Sequence, residues 1–236
     1  MKNKVVKAVV GDLPHMTLRQ ADKINSFIER HQFTSILELG FRHGVSTCYM
    51  AASLARTGGG SITTVDFKSA QTAYPNIEQL LEKIGERERV HVYYEPTSYT
   101  WRLMKMLEES PSPRFDSCYL DGAHNWFVDA LAFFLVDRLL EPGGWILFDD
   151  LNWTYATSPS LKNTEFVKNM PDEEKETAQV KKIFDLLVRT HPDYGNFRVD
   201  GSWAYAQKIK GSNETFCAQI ESPDSCSNKL KNFFSK

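Results

Sequence analysis

No stretch of this 236-residue chain approaches the roughly 18 consecutive apolar residues that a membrane-spanning helix needs. A bias toward one sign of charge is missing too. Lys and Arg number 28 against 30 Asp and Glu, a formal net charge of −2, and no long basic run occurs. That excludes a protein that coats nucleic acid or a membrane surface, while leaving room for a small basic pocket. Cysteine is sparse: Cys48, Cys118, Cys217 and Cys226 show no CxxC spacing. Cys48 and Cys118 fall inside apolar patterns and read as small core residues. Cys217 and Cys226 could pair, but reduced thiols are favoured without an export signal. The opening "MKNKVVKAVVGDLPH" lacks the layout of a signal peptide, because Gly11, Asp12 and Pro14 interrupt its apolar segment. Internal repeats, low-complexity tracts and the dinucleotide motif GxGxxG are absent as well. A soluble, cytoplasmic chain is expected.

What is present is an ordinary globular composition, 42% apolar and 25% charged, in a chain long enough for one well-buried core. Thr17 and Gln20 form a capping box ahead of "LRQADKINSFIERH", a helix of about four turns. Short apolar runs then alternate with helical ones. "SILELG", "SITTVD", "RVHVYYE", "FDSCYL" and "WILF" read as strands. "VSTCYMAASLART", "PNIEQLLEKIGE", "YTWRLMKMLEES" and "FVDALAFFLVDRLL" read as the helices between them, and Glu141–Gly144 as a turn. This alternation predicts right-handed βαβ units, hence a doubly wound, mostly parallel α/β sheet with helices on both faces. Residues 151–172 break the rhythm and are expected to be a lid or substrate loop. An amphipathic helix through Val180, Ile183, Phe184, Leu187 and Val188 follows in "EEKETAQVKKIFDLLVRTH". "FRVDGSWAYAQKI", with Asp200-Gly201 between two strand-like runs, predicts an antiparallel hairpin at the end of the sheet. One domain is expected over 1–210, with 211–236 a polar tail.

Open parallel sheets bind ligands beyond the carboxyl ends of their strands. In "ELGFRHGVS", Gly40 and Gly44 allow a tight turn close to a ligand, and Ser46 opens the next helix. The acid Glu38 would repel a pyrophosphate there and suits a cationic amino group. Asp66 ends the next strand, where a carboxylate commonly grips both hydroxyls of a ribose, a helix cap being the plainer reading. A nucleoside carrying an amino acid satisfies both ends, which describes S-adenosylmethionine. Farther on, Asp121 ends the fourth strand and Asp149-Asp150 end the fifth. Carboxylates on neighbouring strands repel unless a cation lies between them, and oxygen-only ligands select Mg²⁺, Ca²⁺ or Mn²⁺. His124, three residues beyond Asp121, has a side chain suited to taking a hydroxyl proton near neutral pH. Plainer readings stand beside these: acids that line a metal-free cofactor pocket, and a histidine at a helix start. Trp126, Trp153 and Tyr155 cluster near the same place, as an aromatic wall or as packing.

These motifs resemble class I S-adenosylmethionine-dependent methyltransferases, whose seven-stranded Rossmann-like sheet ends in an antiparallel strand pair. "ELGFRHGVS" is similar, gap for gap, to the first cofactor motif of catechol O-methyltransferase-like enzymes, with Arg42 where the commoner form has its central glycine. The resemblance implies that Glu38, Gly40, Gly44 and Ser46 surround the methionine moiety and that Asp66 holds the ribose. It implies an adenine-side contact from Ser98 in "YEPTSYTW", for which Thr97 would serve equally, and places Asp121 beside the cofactor. The 28-residue separation of Asp121 from Asp149 equals that of the catechol enzyme's acids. The histidine of "DGAH" resembles the divalent-metal-dependent O-methyltransferases of macrolide sugars, which implies Asp121, Asp149 and Asp150 as ligands of a divalent cation, Mg²⁺ first, with His124 as base.

The expected activity is therefore methyl transfer to a hydroxyl of a small molecule, a sugar or glycosylated natural product. Nucleic acid and membrane are not expected as partners, and a homo-oligomer is possible. The alternatives are a metal-independent O- or N-methyltransferase and a non-catalytic nucleoside-binding module. A nicotinamide-dependent oxidoreductase is disfavoured by the missing glycine motif. The acceptor itself has no signature in the sequence.

Overall fold

The computed structural model describes residues 2–210; the expected polar tail, with Cys217 and Cys226, lies outside the described residues. Its helices are α1 (Lys2–Val10), α2 (Leu18–His31), α3 (Val45–Leu54), α4 (Ile77–Ile84), α5 (Tyr99–Glu108), α6 (Trp126–Leu139), α7 (Glu165–Lys168), α8 (Asp172–Glu176) and α9 (Gln179–Ile183). The strands are β1 (Ser35–Leu39), β2 (Ser61–Phe67), β3 (Val90–Glu95), β4 (Phe115–Leu120), β5 (Leu140–Phe148), β6 (Tyr194–Asp200) and β7 (Trp203–Lys208). They form one seven-stranded sheet in the order β3-β2-β1-β4-β5-β7-β6. The first five strands are parallel, and β7 pairs antiparallel with both β5 and β6. This is the expected doubly wound sheet with its antiparallel end.

Each face of the sheet carries its own core. On one side Ile24, Phe27, Cys48, Tyr49 and Leu80 pack with Ile36, Tyr119 and Trp203. On the other, Leu103, Phe133, Val136, Ile183 and Phe184 pack on Leu37, Leu39, Cys118, Leu120 and Phe148. Alternation along β1 therefore sends Ile36 to one core and Leu37 and Leu39 to the other, which is the two-faced burial a parallel sheet requires. Cys48 and Cys118 are free and buried, as their apolar surroundings implied. No helix among the described residues is long and apolar enough to cross a membrane.

Local signals set several boundaries. The Thr17/Gln20 capping box forms, and an equivalent box joins Asn76 to Gln79 ahead of α4, each stabilising its helix by about 1 kcal/mol. Gly85 ends α4 in the left-handed conformation. Residues 2–10 form a helix for which the sequence offered no capping signal. Three expectations need correction. Glu141–Gly144 does not turn away from the sheet but belongs to β5, where an irregularity in the pairing with β4 absorbs it. The single helix expected over "EEKETAQVKKIFDLLVRTH" is broken: α8 stops at Glu176, Thr177 is extended, and α9 runs into a π-helical turn over Phe184–Val188. In the hairpin, Asp200 pairs with Trp203, so Gly201 and Ser202 make the turn.

Candidate active site

The ends of β1 and β4 touch. Asp121 N–H donates to the Leu39 carbonyl at 2.9 Å, and a Cβ on Gly40 would fall 2.0 Å from the Asp121 carbonyl oxygen. Gly40 also has φ +91°, so no other residue fits without displacing the backbone. The turn that follows is held from β2. Asp66 Oδ2 accepts the N–H groups of Phe41 at 2.8 Å and Arg42 at 2.6 Å, while Oδ1 accepts that of Phe67 at 2.6 Å. Gly44 then starts α3 at φ +90°, against the side chain of Ile77.

Glu38 takes a different place from the one expected. It does not line the cavity at the strand ends. Its side chain is fully buried and accepts from Ser46 Oγ at 2.5 Å, Thr47 Oγ1 at 2.5 Å and Thr64 Oγ1 at 2.6 Å. Burial raises its pKa to about 7, against the pull of the three hydroxyls. It is a clamp joining β1, β2 and the start of α3 from behind the glycine turn. Ser98 is likewise absent from the cavity wall; its hydroxyl caps α5 by accepting Thr100 N–H at 3.1 Å.

At the ends of β4 and β5 the acids divide. Asp121, His124 and Asp150 each offer a ligand atom, and the three atoms lie within 4.8 Å of one another. His124 Nε2 is 3.3 Å from Asp121 Oδ1 and 3.7 Å from Asp150 Oδ2. Asp149 is not part of this group. Its Oδ2 accepts the Tyr119 hydroxyl at 2.5 Å and its Oδ1 the Asp150 N–H at 2.6 Å. Asp150 reaches the group because its backbone turns left-handed, φ +52°, and His124 does the same at φ +54°. Of the expected set Asp121, Asp149 and Asp150, two members thus share this group with His124, and Asp149 lines the same cavity beside them.

Crowding shows in the electrostatics. Burial and then the Asp121 charge shift both Asp149 and Asp150 upward. Burial by itself would lower His124, but the hydrogen bond and charge of Asp121, with the charges of Asp150 and Asp129, outweigh it and push His124 up to about 9.

The turn between Asp121 and α6 is fixed from α5. The Tyr99 hydroxyl donates to Asp129, fully buried, and accepts the Ala123 N–H at 3.1 Å. Asp129 also accepts the Asn125 N–H at 3.2 Å. A Cβ on Gly122 would meet the Tyr99 ring at 2.5 Å. Trp153 packs on His124 with ring centroids 5.0 Å apart, and Tyr155 on Trp153 at 4.8 Å, so two of the three expected aromatics adjoin the site.

A cavity of about 530 Å³ opens over these groups, its floor including Gly40, Ser46, Asp66, Asp121, His124 and Asp150. Its cover was not foreseen. Residues 151–172 contribute nothing to it; Leu13–Thr17, between α1 and α2, and Gln20 in the first turn of α2 form that wall. His15 belongs to this wall at φ +86°, with its pKa lowered by burial against the opposing charge of Asp121. Tyr119, Tyr99, Asp129 and His15 were all missed, since none carries a local motif.

Residues 37–151 match the family described as a methyltransferase domain. No curated protein matches the chain in sequence. Among solved structures, the O-methyltransferase from Bacillus cereus in complex with SAH is 17% identical, with a TM-score of 0.62 over 88% of this chain and 90% of that one. The O-methyltransferase TomG from Streptomyces achromogenes, involved in tomaymycin synthesis and solved with SAM, is 16% identical, with a TM-score of 0.61 over 89% and 90%. The SAH-bound methyltransferase PaMTH1 from Podospora anserina is 15% identical, with a TM-score of 0.63 over 89% and 87%. Identities this low speak for the fold, while the matched domain spans the glycine turn, Asp66 and the acids of β4 and β5. Residues 37–151 thus carry a methyltransferase domain, on a fold shared with these solved methyltransferases.

Proposed function

We propose that the protein transfers the methyl group of S-adenosylmethionine to a hydroxyl of a small molecule, with a divalent cation at Asp121 and Asp150. The observation that carries this reading is the convergence of Asp121, His124 and Asp150 on the floor of the cavity that also holds the glycine turn and Asp66. The donor set fits: two crowded carboxylates beside an imidazole, in a group open to the cavity. When bound, the cation would acidify and orient the acceptor hydroxyl. Mg²⁺ or Mn²⁺ suits the carboxylates.

The chain's own residues have separable tasks. Gly40 and Gly44 shape the turn beneath the methionine end of the cofactor, with Ser46 at the start of α3. Asp66, already holding the turn's N–H groups, stands at the position for the ribose, and Ser98 is retained only as a neighbour of the adenine end. Asp149, held by Tyr119, positions Asp150 through its backbone N–H. His124 Nε2, which faces both acids, would take the acceptor proton, with a cation held by Asp121 and Asp150 offsetting their charge. The methyl transfer then needs chiefly in-line placement.

A second reading has an observation of its own: the ligand atom of His124 is as close to both acids as a third ligand would be, and an imidazole favours Mn²⁺ over Mg²⁺. The donor is tested by S-adenosylhomocysteine calorimetry and the reaction by labelled methyl transfer to hydroxyl acceptors, with chelator and in Asp150→Ala. Transfer that survives both eliminates the metal. His124→Gln separates the two histidine roles: unchanged Mn²⁺ affinity with lost turnover makes it the base, and weakened Mn²⁺ binding makes it a ligand. A sugar or glycosylated natural product is the acceptor class supported by the "DGAH" turn. TomG, a structural neighbour, belongs to a natural-product synthesis.

A further inference from the structure

A second cavity, of about 560 Å³, lies beyond His124 and is built by the segment whose purpose the sequence left open. It is lined by Asn125, Phe127, Tyr155, Phe166, Met170 and Glu174, among others. A series of ring contacts leads to it from the acids: His124 to Trp153 at 5.0 Å, Trp153 to Tyr155 at 4.8 Å, Tyr155 to Phe166 at 5.8 Å. Two of its rings are unusually open for their size, Phe127 at 72% and Phe166 at 64%.

Charge decides what such rings would hold. From Glu165 to Glu176 the chain carries five acids (Glu165, Asp172, Glu173, Glu174, Glu176) and two lysines. Both lysines are already matched, Lys168 with Glu165 at 2.7 Å and Lys175 with Asp172 at 2.6 Å. Glu174 is half-buried, lines this cavity and the smaller one next to it, and has no hydrogen-bond or ion-pair partner for its carboxylate among the described residues. Lys182 lines the smaller cavity and is absent from the lining of this one. An unpaired carboxylate among exposed aromatic faces is the arrangement that recognises an ammonium group, through ion pairing and cation–π attraction together. It repels a phosphate or carboxylate.

We propose that this second cavity binds a protonated or quaternary amine on the non-reacting end of the methyl acceptor, so that the substrate class is a cationic hydroxyl compound such as an amino sugar conjugate. This rests on the methyl-transfer reading for the site at Asp121 and Asp150. It gives the 151–172 segment a task, recognition of the acceptor's far end.

The test uses the full chain saturated with S-adenosylhomocysteine and three probes, followed by ligand-observed NMR titration: benzyltrimethylammonium, the neutral benzyl alcohol and the anionic benzoate. The expected order is benzyltrimethylammonium tightest by about tenfold or more, with benzoate not binding. Glu174→Gln should weaken the cation about tenfold and leave benzyl alcohol unchanged, whereas Phe166→Ala should weaken both. S-adenosylhomocysteine affinity should stay unchanged in each variant, which shows that the fold is intact. Equal affinity for cation and alcohol, or a Glu174→Gln variant indistinguishable from the parent, overturns the inference. Failure of the methyl-transfer reading looks different: S-adenosylhomocysteine does not bind the parent protein at all, whatever the amine probe does.

Discussion

Glu38→Gln isolates the energetic cost of the buried acid behind the glycine turn. In the folded chain this carboxyl is fully buried and its pKa is raised from 4.5 to about 7, first by burial and further by Asp121, with three hydroxyls pulling the other way. Between those two values the native protein keeps a proton that the unfolded chain has released. Stability linked to Glu38 is therefore fully present below pH 4.5 and is lost as the pH rises through 7. A displacement from 4.5 to about 7 corresponds to about 3 kcal/mol over the whole interval. Gln has the same shape and no charge. One of the three hydroxyls must rotate to accept from its amide, and the other two can still donate to its oxygen.

The assay is urea unfolding of both proteins at pH 5 and pH 8. Other acids of the site also titrate, so the quantity of interest is the difference between variant and parent. That difference should move by about 2.5 kcal/mol in favour of Gln on going from pH 5 to pH 8, part of the whole having been lost below pH 5, with unchanged m-values. A difference that is the same at both values would mean that Glu38 ionises like a solvated carboxyl, and the clamp would be wrongly described. The same variant tests function. Because the carboxylate does not line the cavity, S-adenosylhomocysteine affinity should stay within about threefold, whereas loss of an ionic partner for the cofactor's amino group would cost tenfold or more.

Two further changes probe the supports of the site. Gly40→Ala places a methyl group 2.0 Å from the Asp121 carbonyl oxygen at φ +91°, and should cost about 3 kcal/mol in thermal unfolding while abolishing S-adenosylhomocysteine binding in calorimetry. Tyr99→Phe leaves buried Asp129 and the Ala123 N–H without their shared hydroxyl; it should cost about 2 kcal/mol and lower turnover more than cofactor affinity, as measured by labelled methyl transfer.

Much of the sheet was legible because each strand is a short apolar run ending in a turn residue, and because Thr17, Pro75 and Gly85 mark where helices begin and end. What escaped notice was decided by contacts distant in sequence. The apolar spacing of Val180, Ile183, Phe184 and Val188 continues smoothly into the charged run before it, so periodicity alone predicts one helix. The break is imposed by Gln179. Its Oε1 accepts the Trp126 N–H at 2.7 Å and its Nε2 donates to the Glu174 carbonyl at 3.1 Å, tying the start of α6 to the end of α8. Glu38 was misplaced for a related reason. An acid at a strand end is visible in sequence, but whether it faces a ligand or a covering helix depends on α3, whose hydroxyls at Ser46 and Thr47 close over it. Leu13–Thr17 went unnoticed as a wall because its residues have no pattern of their own.

The division between Asp149 and Asp150 shows how much a single residue decides. Continuing the alternation of β5 would send successive side chains to opposite faces. Asp149 follows the strand, lies nearly buried, and is taken by Tyr119 from the neighbouring β4. Asp150 leaves the strand with a left-handed backbone and swings its carboxylate toward Asp121 and His124. The two acids therefore cannot exchange roles by rotating side chains alone; the exchange needs a new backbone conformation at position 150. Asp149 Oδ2 is engaged by the Tyr119 hydroxyl, whereas the side chains of Asp121, Asp150 and His124 face one another. The Asp121 carbonyl also occupies the space that a Cβ on Gly40 would need, and its N–H donates to the Leu39 carbonyl. The glycine turn and the group Asp121, His124 and Asp150 are thus assembled on one residue, so a disturbance of either reaches the other through Asp121.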